Sequence, residues 1–184
     1  MAPRRALAAA LHRCYHPRVD ATAPAPLLDE EGAAFVQGGV SIVAASRDAG
    51  LVPSIGRAAG CRVAPDRRRV TVYVAASQAP QLVADVVACR RIAVVFSRPS
   101  THRTLQLKAD DAVVRPLAAG EAAVPDSYVA GFAADIAKLG HTEAQARTLV
   151  ASVDGDLVAI DFTPSAAFEQ TPGPNAGAPL PPPR

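Results

Sequence analysis

Between Gly39 and Leu117 the chain alternates short runs of β-branched residues with turn-forming clusters, and one interval of helical spacing interrupts them. That order constrains the fold strongly, because short strands joined by tight turns pair with their sequence neighbours. Gly39-Val-Ser-Ile-Val-Ala-Ala-Ser46 alternates branched and small residues. Arg47 to Gly50 then turns the chain, and Leu51 to Val63 returns as the second arm of a hairpin. Ala64-Pro-Asp-Arg67 makes a further turn into a strand at Val70 to Val74. Ser77 to Arg90 carries helical spacing, after which Ile92 to Phe96 and Thr104 to Lys108 read as strands. Three strands, a helix and two strands predict a mainly β protein with peripheral helices: a small antiparallel barrel with a helix across one opening.

The flanks divide the chain into three parts. Residues 1–38 form an N-terminal arm with a Pro- and Ala-rich linker from Ala21 to Pro26. A short helix follows from Asp29 to Gln37, its acidic first turn suited to the positive end of the helix dipole. Residues 39–163 form the barrel domain with its inserted and C-terminal helices. Pro125 suits a first helical turn, and Tyr128, Phe132, Ile136 and Leu139 fall on one face before Gly140. The Tyr128 and Phe132 stripe reads as core, with the lining of a cofactor edge as the alternative. Thr142-Glu-Ala-Gln145 has the form of a capping box and opens a second helix through Val150. Asp154-Gly155 turns into a last strand from Asp156 to Phe162. Residues 164–184 form a Pro-rich extended tail, since Thr171 to Arg184 holds six prolines and two glycines.

Composition narrows the function classes. The 184 residues suit one buried core, and 49% hydrophobic content excludes wholesale disorder. Much of that content is alanine, with aromatics at 4% and no tryptophan, so a second copy of the chain would supplement a thin core. A formal net charge of +2 with mixed signs gives no argument for nucleic acid, and no stretch reaches the length of a membrane span. Arg67-Arg-Arg69 reads as a solvated turn. The start of the chain lacks the sustained apolar region of a secretory signal. Three cysteines, Cys14, Cys61 and Cys89, make no paired framework and fit a reducing cytoplasm. His12, Cys14 and His16 lack a fourth nearby ligand and read as an arm rather than a zinc site.

Polar residues that alternate along a strand mark the candidate site. Thr104, Gln106 and Lys108 share one face of their strand, while Leu105 and Leu107 face the core. A hydroxyl, an amide and an ammonium in one row suit an anionic or carbonyl-rich ligand. His102 precedes the row on a loop. Ser77 and Gln78 open a helix, where backbone N–H groups can receive an anion. Pro53-Ser-Ile-Gly-Arg57 is a second polar focus: Gly56 admits close backbone approach, and Arg57 can grip an oxyanion with two bonds.

The segments GVSIVAASRDAGLVPSIGRAAGCRV, VTVYVAASQAPQLVADV, IAVVFSRPSTHRTLQLK and FEQTPGPNAGAPL together resemble the pyridoxamine 5'-phosphate oxidase-like proteins, the FMN-binding split barrels. The resemblance covers roughly Gly39 to Pro179. It implies an antiparallel split β-barrel of the FMN-binding type, a homodimer with flavin mononucleotide in clefts between subunits, and an oxidoreductase acting on a small molecule. It also implies Ser54, Gly56 and Arg57 as cofactor contacts, with Ser77, Gln78, Thr104, Gln106 and Lys108 completing the site. No protein nucleophile or metal is required, because the flavin performs the redox step. Arg57 falls four residues after the proline rather than the family's three. Ala76, Leu82 and Ala109 stand where many members carry threonine, lysine and glycine. Two other readings remain: a non-enzymatic small-ligand module that has lost tight flavin binding, and a heme-handling barrel using His102 or His141.

Overall fold

Short strands with one apolar face pair in sequence and wrap round that face. The computed structural model describes residues 25–150 and 155–180 and contains one antiparallel sheet of eight strands among them. They are β1 (Ser41–Arg47), β2 (Pro53–Val63), β3 (Val70–Ala75), β4 (Ile92–Ser97), β5 (Thr104–Ala109), β6 (Val113–Arg115), β7 (Leu157–Phe162) and β8 (Ala166–Glu169). The order across the sheet is β6-β7-β3-β2-β1-β4-β5-β8, so β6 and β8 are its edges and the barrel is split rather than closed. Four helices accompany it: α1 (Glu30–Gln37), α2 (Pro80–Cys89), α3 (Val124–Ala137) and α4 (Glu143–Leu149).

Strand β2 joins the two halves. Its first residues, Pro53 to Arg57, pair with β1, and Ala58 to Val63 pair with β3. Between Ala58 and Cys61 the register gains a residue, the bulge that bends the strand from one half into the other. Gly60 sits in that bulge at φ +145, and a Cβ there would lie 3.0 Å from Val124 Cγ1 of α3. Glycine therefore serves both the bend and the helix contact.

Ile42, Ala44, Val72, Val74, Val94, Phe96, Leu107 and Ile160 line the interior, all fully buried. Helix α2 crosses the opening and adds Leu82, Val83 and Val86. Each such side chain contributes about 1.5–3 kcal/mol when taken wholly out of water. Pro80 starts α2 in the first turn, and Arg90 ends it in the left-handed region at φ 57. Asp29 caps α1 by accepting from Gly32 N at 2.7 Å, and Thr142 with Gln145 forms the capping box of α4. Helix α3 lies on the outside, backbone against backbone: a Cβ on Gly39 would fall 2.1 Å from Gly131 O.

Two strands depart from the sequence reading. Val113–Arg115 pairs with β7 but is only three residues long, too short to show alternation. Ala166–Glu169 lies in the stretch read as extended tail, yet it pairs with β5 as β8. The segment beyond it folds back: Phe168 bridges Pro179, and Leu180 N donates to Ala167 O at 2.8 Å. Prolines do not prevent this, because an edge segment needs donors on one side only. The His12, Cys14 and His16 group lies outside the described residues. Among those described, no group of three or more histidine, cysteine, aspartate and glutamate residues is placed to hold a metal.

Candidate functional site

The continuous β1–β2 register from Pro53 to Arg57 sends alternate side chains to opposite faces. The bulge comes after Arg57 and does not change this. Ser54 and Gly56 point inward toward α2, and Arg57 points outward. The candidate residues thus fall into two sets that do not share one surface.

The inner set is engaged within the protein. The buried Ser54 hydroxyl donates to Asp85 Oδ2 at 2.6 Å, and Gln81 Nε2 donates to Asp85 Oδ1 at 2.7 Å. Space beside Gly56 is filled: a Cβ there would lie 2.6 Å from Ala79 Cβ and 3.0 Å from Leu82 Cδ2. Its missing side chain admits the helix. At the approach to α2, Ser77 N donates to both carboxylate oxygens of Asp156 at 3.2 Å, and the Ser77 hydroxyl donates to Oδ2 at 2.5 Å. Gln78 N donates to Ala75 O at 3.1 Å. An internal carboxylate therefore occupies the place where the sequence suggests an incoming anion.

The outer set lies on a sheet face formed by β2, β1, β4, β5 and β8. Cross-strand register makes one row of Arg57, Val43, Val95, Gln106 and Phe168, and a neighbouring row of Ile55, Ala45, Ala93, Lys108 and Ala166. A third row holds Ser41, Ser97 and Thr104. The middle is apolar and half-buried; Arg57 and Lys108 are exposed near opposite sides. Three strand spacings put the Arg57 and Lys108 strands about 14 Å apart. Gln106 Oε1 accepts from Gln170 Nε2 at 3.3 Å, and Lys108 Nζ lies 4.8 Å from the Phe168 ring centre. The Ser97 and Thr104 hydroxyls share a 2.8 Å hydrogen bond. Beside this face the β1–β2 turn exposes Leu51 and Val52, and β2 itself exposes Ile55 by 70%. His102, in the β4–β5 loop, and His141, between α3 and α4, are both exposed.

Helix α3 borders the outer face and brings in residues that sequence spacing assigned to the core. Arg57 Nη1 donates to Ser41 Oγ at 3.1 Å. The buried Tyr128 hydroxyl lies beside the Arg57 guanidinium and the Ile42 backbone. Burial pushes that phenol up to about 12, with Arg57 opposing the shift. The connection from β6 into α3 carries a largely buried ionic cluster. Arg115 donates to Glu121 at 2.7 and 2.8 Å and to Asp161 at 2.7 and 3.0 Å. Thr71 adds a 2.8 Å bond to Asp161, and Ala118 N a 2.7 Å bond to Glu121. The Arg115 hydrogen bonds bring the Glu121 carboxyl down to about 2 against the cost of burial. None of Arg115, Glu121, Asp161 and Asp156 stands out in the sequence: Asp161 and Asp156 meet partners at least 46 residues away, and the Arg115–Glu121 pair is closed by a loop turn that carries no periodic pattern.

No family model matches the chain, and no curated protein matches it. Among solved structures, it is similar to HupZ of Group A Streptococcus, with 14% identity over 82% of this chain and 99% of that one, and a TM-score of 0.50. The two share a fold, an antiparallel split β-barrel with peripheral helices. Similar structures also include a pyridoxamine 5'-phosphate oxidase-related, FMN binding protein of Nostoc punctiforme: 13% identity, 95% of this chain, 87% of that chain, TM-score 0.40. HutZ, the heme storage protein of Vibrio cholerae, matches with 13% identity over 78% of this chain and 94% of that chain, TM-score 0.43.

The two faces of this split barrel suit flavin mononucleotide differently. Its ring needs a flat apolar floor, its pyrimidine edge needs donors, and its phosphate needs a cation or exposed N–H groups. The inner set does not supply them, since Ser54, Gly56 and Ser77 are engaged with Asp85, α2 and Asp156. The outer face supplies the floor in Val43, Val95, Ala45 and Ala93, donors in Gln106 and Lys108, and a cation in Arg57.

Proposed function

We propose that this chain is a homodimeric flavin-binding split barrel that holds FMN on its outer sheet face and acts as an oxidoreductase on a small molecule. The observation that carries the reading is the separation of charges on that face: Arg57 on one side, Gln106 and Lys108 on the other, with an apolar floor between them. A ligand with an anion at one end and carbonyls at the other matches this layout. Arg57 would take the phosphate, and Gln106 and Lys108 the pyrimidine edge. When bound, the flavin supplies reversible electron and hydride transfer; the protein binds it, orients it and excludes water. A second copy would cover the ring. Exposed Leu51, Val52 and Ile55 beside a half-buried sheet face favour that arrangement, since apolar surface grouped in this way is commonly covered in an assembly.

A non-enzymatic binding module is the second reading, favoured by one observation: the Ser77 donors are already taken by Asp156. Free Cys61 and Cys89 support a cytoplasmic setting in either case. No helix among the described residues is long and apolar enough to cross a membrane.

Sedimentation and flavin titration separate the readings. A dimer that binds FMN, quenches its fluorescence and passes electrons from a reduced nicotinamide to it supports the oxidoreductase. A dimer that binds neither FMN nor riboflavin overturns it in favour of the module, and a monomer at micromolar concentration removes the shared-face argument.

A further inference from the structure

We propose that the cavity between the start of α1, strand β5 and the returning C-terminal segment binds a free amino acid with a branched aliphatic side chain, as its zwitterion. The site is separate from the outer face, and the inference does not depend on the flavin reading. Leu105 pairs with Glu169 across β5 and β8, and Gln106 pairs with Phe168. Neighbours on a strand point to opposite sides, so with Gln106 and Phe168 on the outer face, Leu105 and Glu169 face the other way.

The cavity measures about 170 Å³. Leu27 and Leu28 line it from the lead into α1, Leu105 from β5 and Leu180 from the end of the described chain. A dry apolar cavity of about 150 Å³ takes benzene, so this floor admits a side chain of leucine's size. Leucines without an aromatic ring favour a branched aliphatic group over a flat one.

Charges of both signs surround the floor: Asp29, Glu169 and Arg103. Asp29 uses Oδ1 to cap α1, accepting from Gly32 N at 2.7 Å, and Glu169 uses Oε1 to accept from Thr171 N at 2.7 Å. Each carboxylate has a second oxygen with which to accept from an ammonium. Burial opposes the ionisation of Glu169, but hydrogen bonds from Thr171 and Gln170 outweigh it and hold that carboxyl below its ordinary value. Arg103 Nη1 donates to Glu31 Oε1 at 2.6 Å, and the guanidinium lies 4.6 Å from the centre of the Phe35 ring. Both contacts fix the group, and a guanidinium has five N–H donors to share with a ligand carboxylate. The pattern of signs selects the ligand. A simple amine meets Arg103 as a like charge, and a simple carboxylate meets Asp29 and Glu169 as like charges. A zwitterion satisfies both, its ammonium toward the two carboxylates and its carboxylate toward the guanidinium.

The cavity also joins the two ends of the described chain. Leu180 N donates to Ala167 O at 2.8 Å, and Gly177 N to Glu169 O at 2.7 Å. A ligand held between Leu28 and Leu180 therefore fastens the returning segment and slows the opening of those hydrogen bonds.

The test titrates the full 15N-labelled chain with L-leucine, with 3-methylbutylamine, which lacks the carboxylate, and with 4-methylpentanoate, which lacks the ammonium. L-Leucine should shift the amides of Leu28, Leu105, Glu169 and Leu180 saturably, with half-saturation below about 1 mM, and each analogue should bind at least about tenfold more weakly. Amide exchange at Gly177 and Leu180 should slow with leucine bound. Asp29→Asn keeps the cap of α1, since asparagine caps as well as aspartate, and Arg103→Gln gives up a surface ion pair; each should weaken leucine binding about tenfold with Tm near that of the parent. The analogue comparison is made on the parent chain and does not depend on how the variants fold. Absence of a saturable shift with leucine overturns the inference, as does an analogue that binds as tightly, unchanged affinity in either variant, or shifts centred on Val43 and Val95 of the outer face.

Discussion

Replacing Arg115 with methionine should destabilise the protein by about 3–5 kcal/mol at pH 7, and the loss should shrink in acid. Arg115 is the shared cation of two buried carboxylates, Glu121 at 5% exposure and Asp161 at 7%. Methionine keeps much of the side-chain volume and removes every donor. The structure sets the scale through Glu121, whose carboxyl falls from an ordinary 4.5 to about 2, mainly through its hydrogen bonds to Arg115. A difference of about 2.5 at about 1.4 kcal/mol each amounts to about 3.5 kcal/mol. Because the folded value is the lower one, this stability is complete above pH 4.5 and is lost as pH falls toward 2. In Arg115→Met the carboxylates are left buried without their cation, so their protonation relieves the variant. The gap between parent and variant should therefore be widest at neutral pH and close below about 4.5. Urea denaturation followed by circular dichroism at pH 7, 5 and 3 measures it. Adding Glu121→Gln to Arg115→Met should recover part of the loss by removing one buried charge. A loss under about 1 kcal/mol at pH 7, or a gap unchanged from pH 7 to 3, would refute the argument that the cluster holds the β6–α3 connection electrostatically.

Two further substitutions probe the packing that frames the site. Gly39→Ala forces a Cβ against the Gly131 carbonyl, so α3 must shift; a loss of about 2 kcal/mol or more is expected in thermal unfolding, with weakened ligand binding at Arg57. Removing Gly177 to Arg184 deletes the Gly177 and Leu180 donors to Glu169 and Ala167, together with the Leu180 side chain packed on the core. The truncated chain should melt several degrees lower, an effect of about 1–2 kcal/mol, and an unchanged melting temperature would show that the returning segment contributes nothing.

The fold was largely legible because its signals are local. Alternation in Ser41–Arg47 and Thr104–Ala109, the capping box at Thr142 and the acidic start at Asp29 each depend on neighbours within a few residues. The strands that escaped, β6 and β8, depend on pairing with β7 and β5, and neither is long enough to carry a pattern of its own. The candidate site was less legible for the same reason. Thr104, Gln106 and Lys108 do share a face, as their spacing requires. Nothing near Ser77 announces that Asp156, 79 residues away, will take its donors, nor does anything near Ser54 announce Asp85. Tyr128 was legible as a core aromatic, and its ring is one; the fate of its hydroxyl depends on Arg57, which arrives from another strand.

The one-residue displacement of Arg57 along β2 matters because a strand has only two sides. At an odd distance from Ser54 the guanidinium leaves the α2 side, and a bulge would have had to precede it to bring it back. The bulge instead follows at Ala58–Cys61, where Gly60 lets α3 approach. Placing the bend there has two linked effects. It keeps the only strand cation of β2 before the bulge on the open face, and it seats α3 so that Tyr128 lies behind that cation. The inner side, left without a cation, closes with polar pairs drawn from its own chain: Ser54 with Asp85, and Ser77 with Asp156. An anionic ligand of the kind proposed above would therefore meet an unpaired cation beside α3, whereas the start of α2 offers it only donors already taken by Asp156.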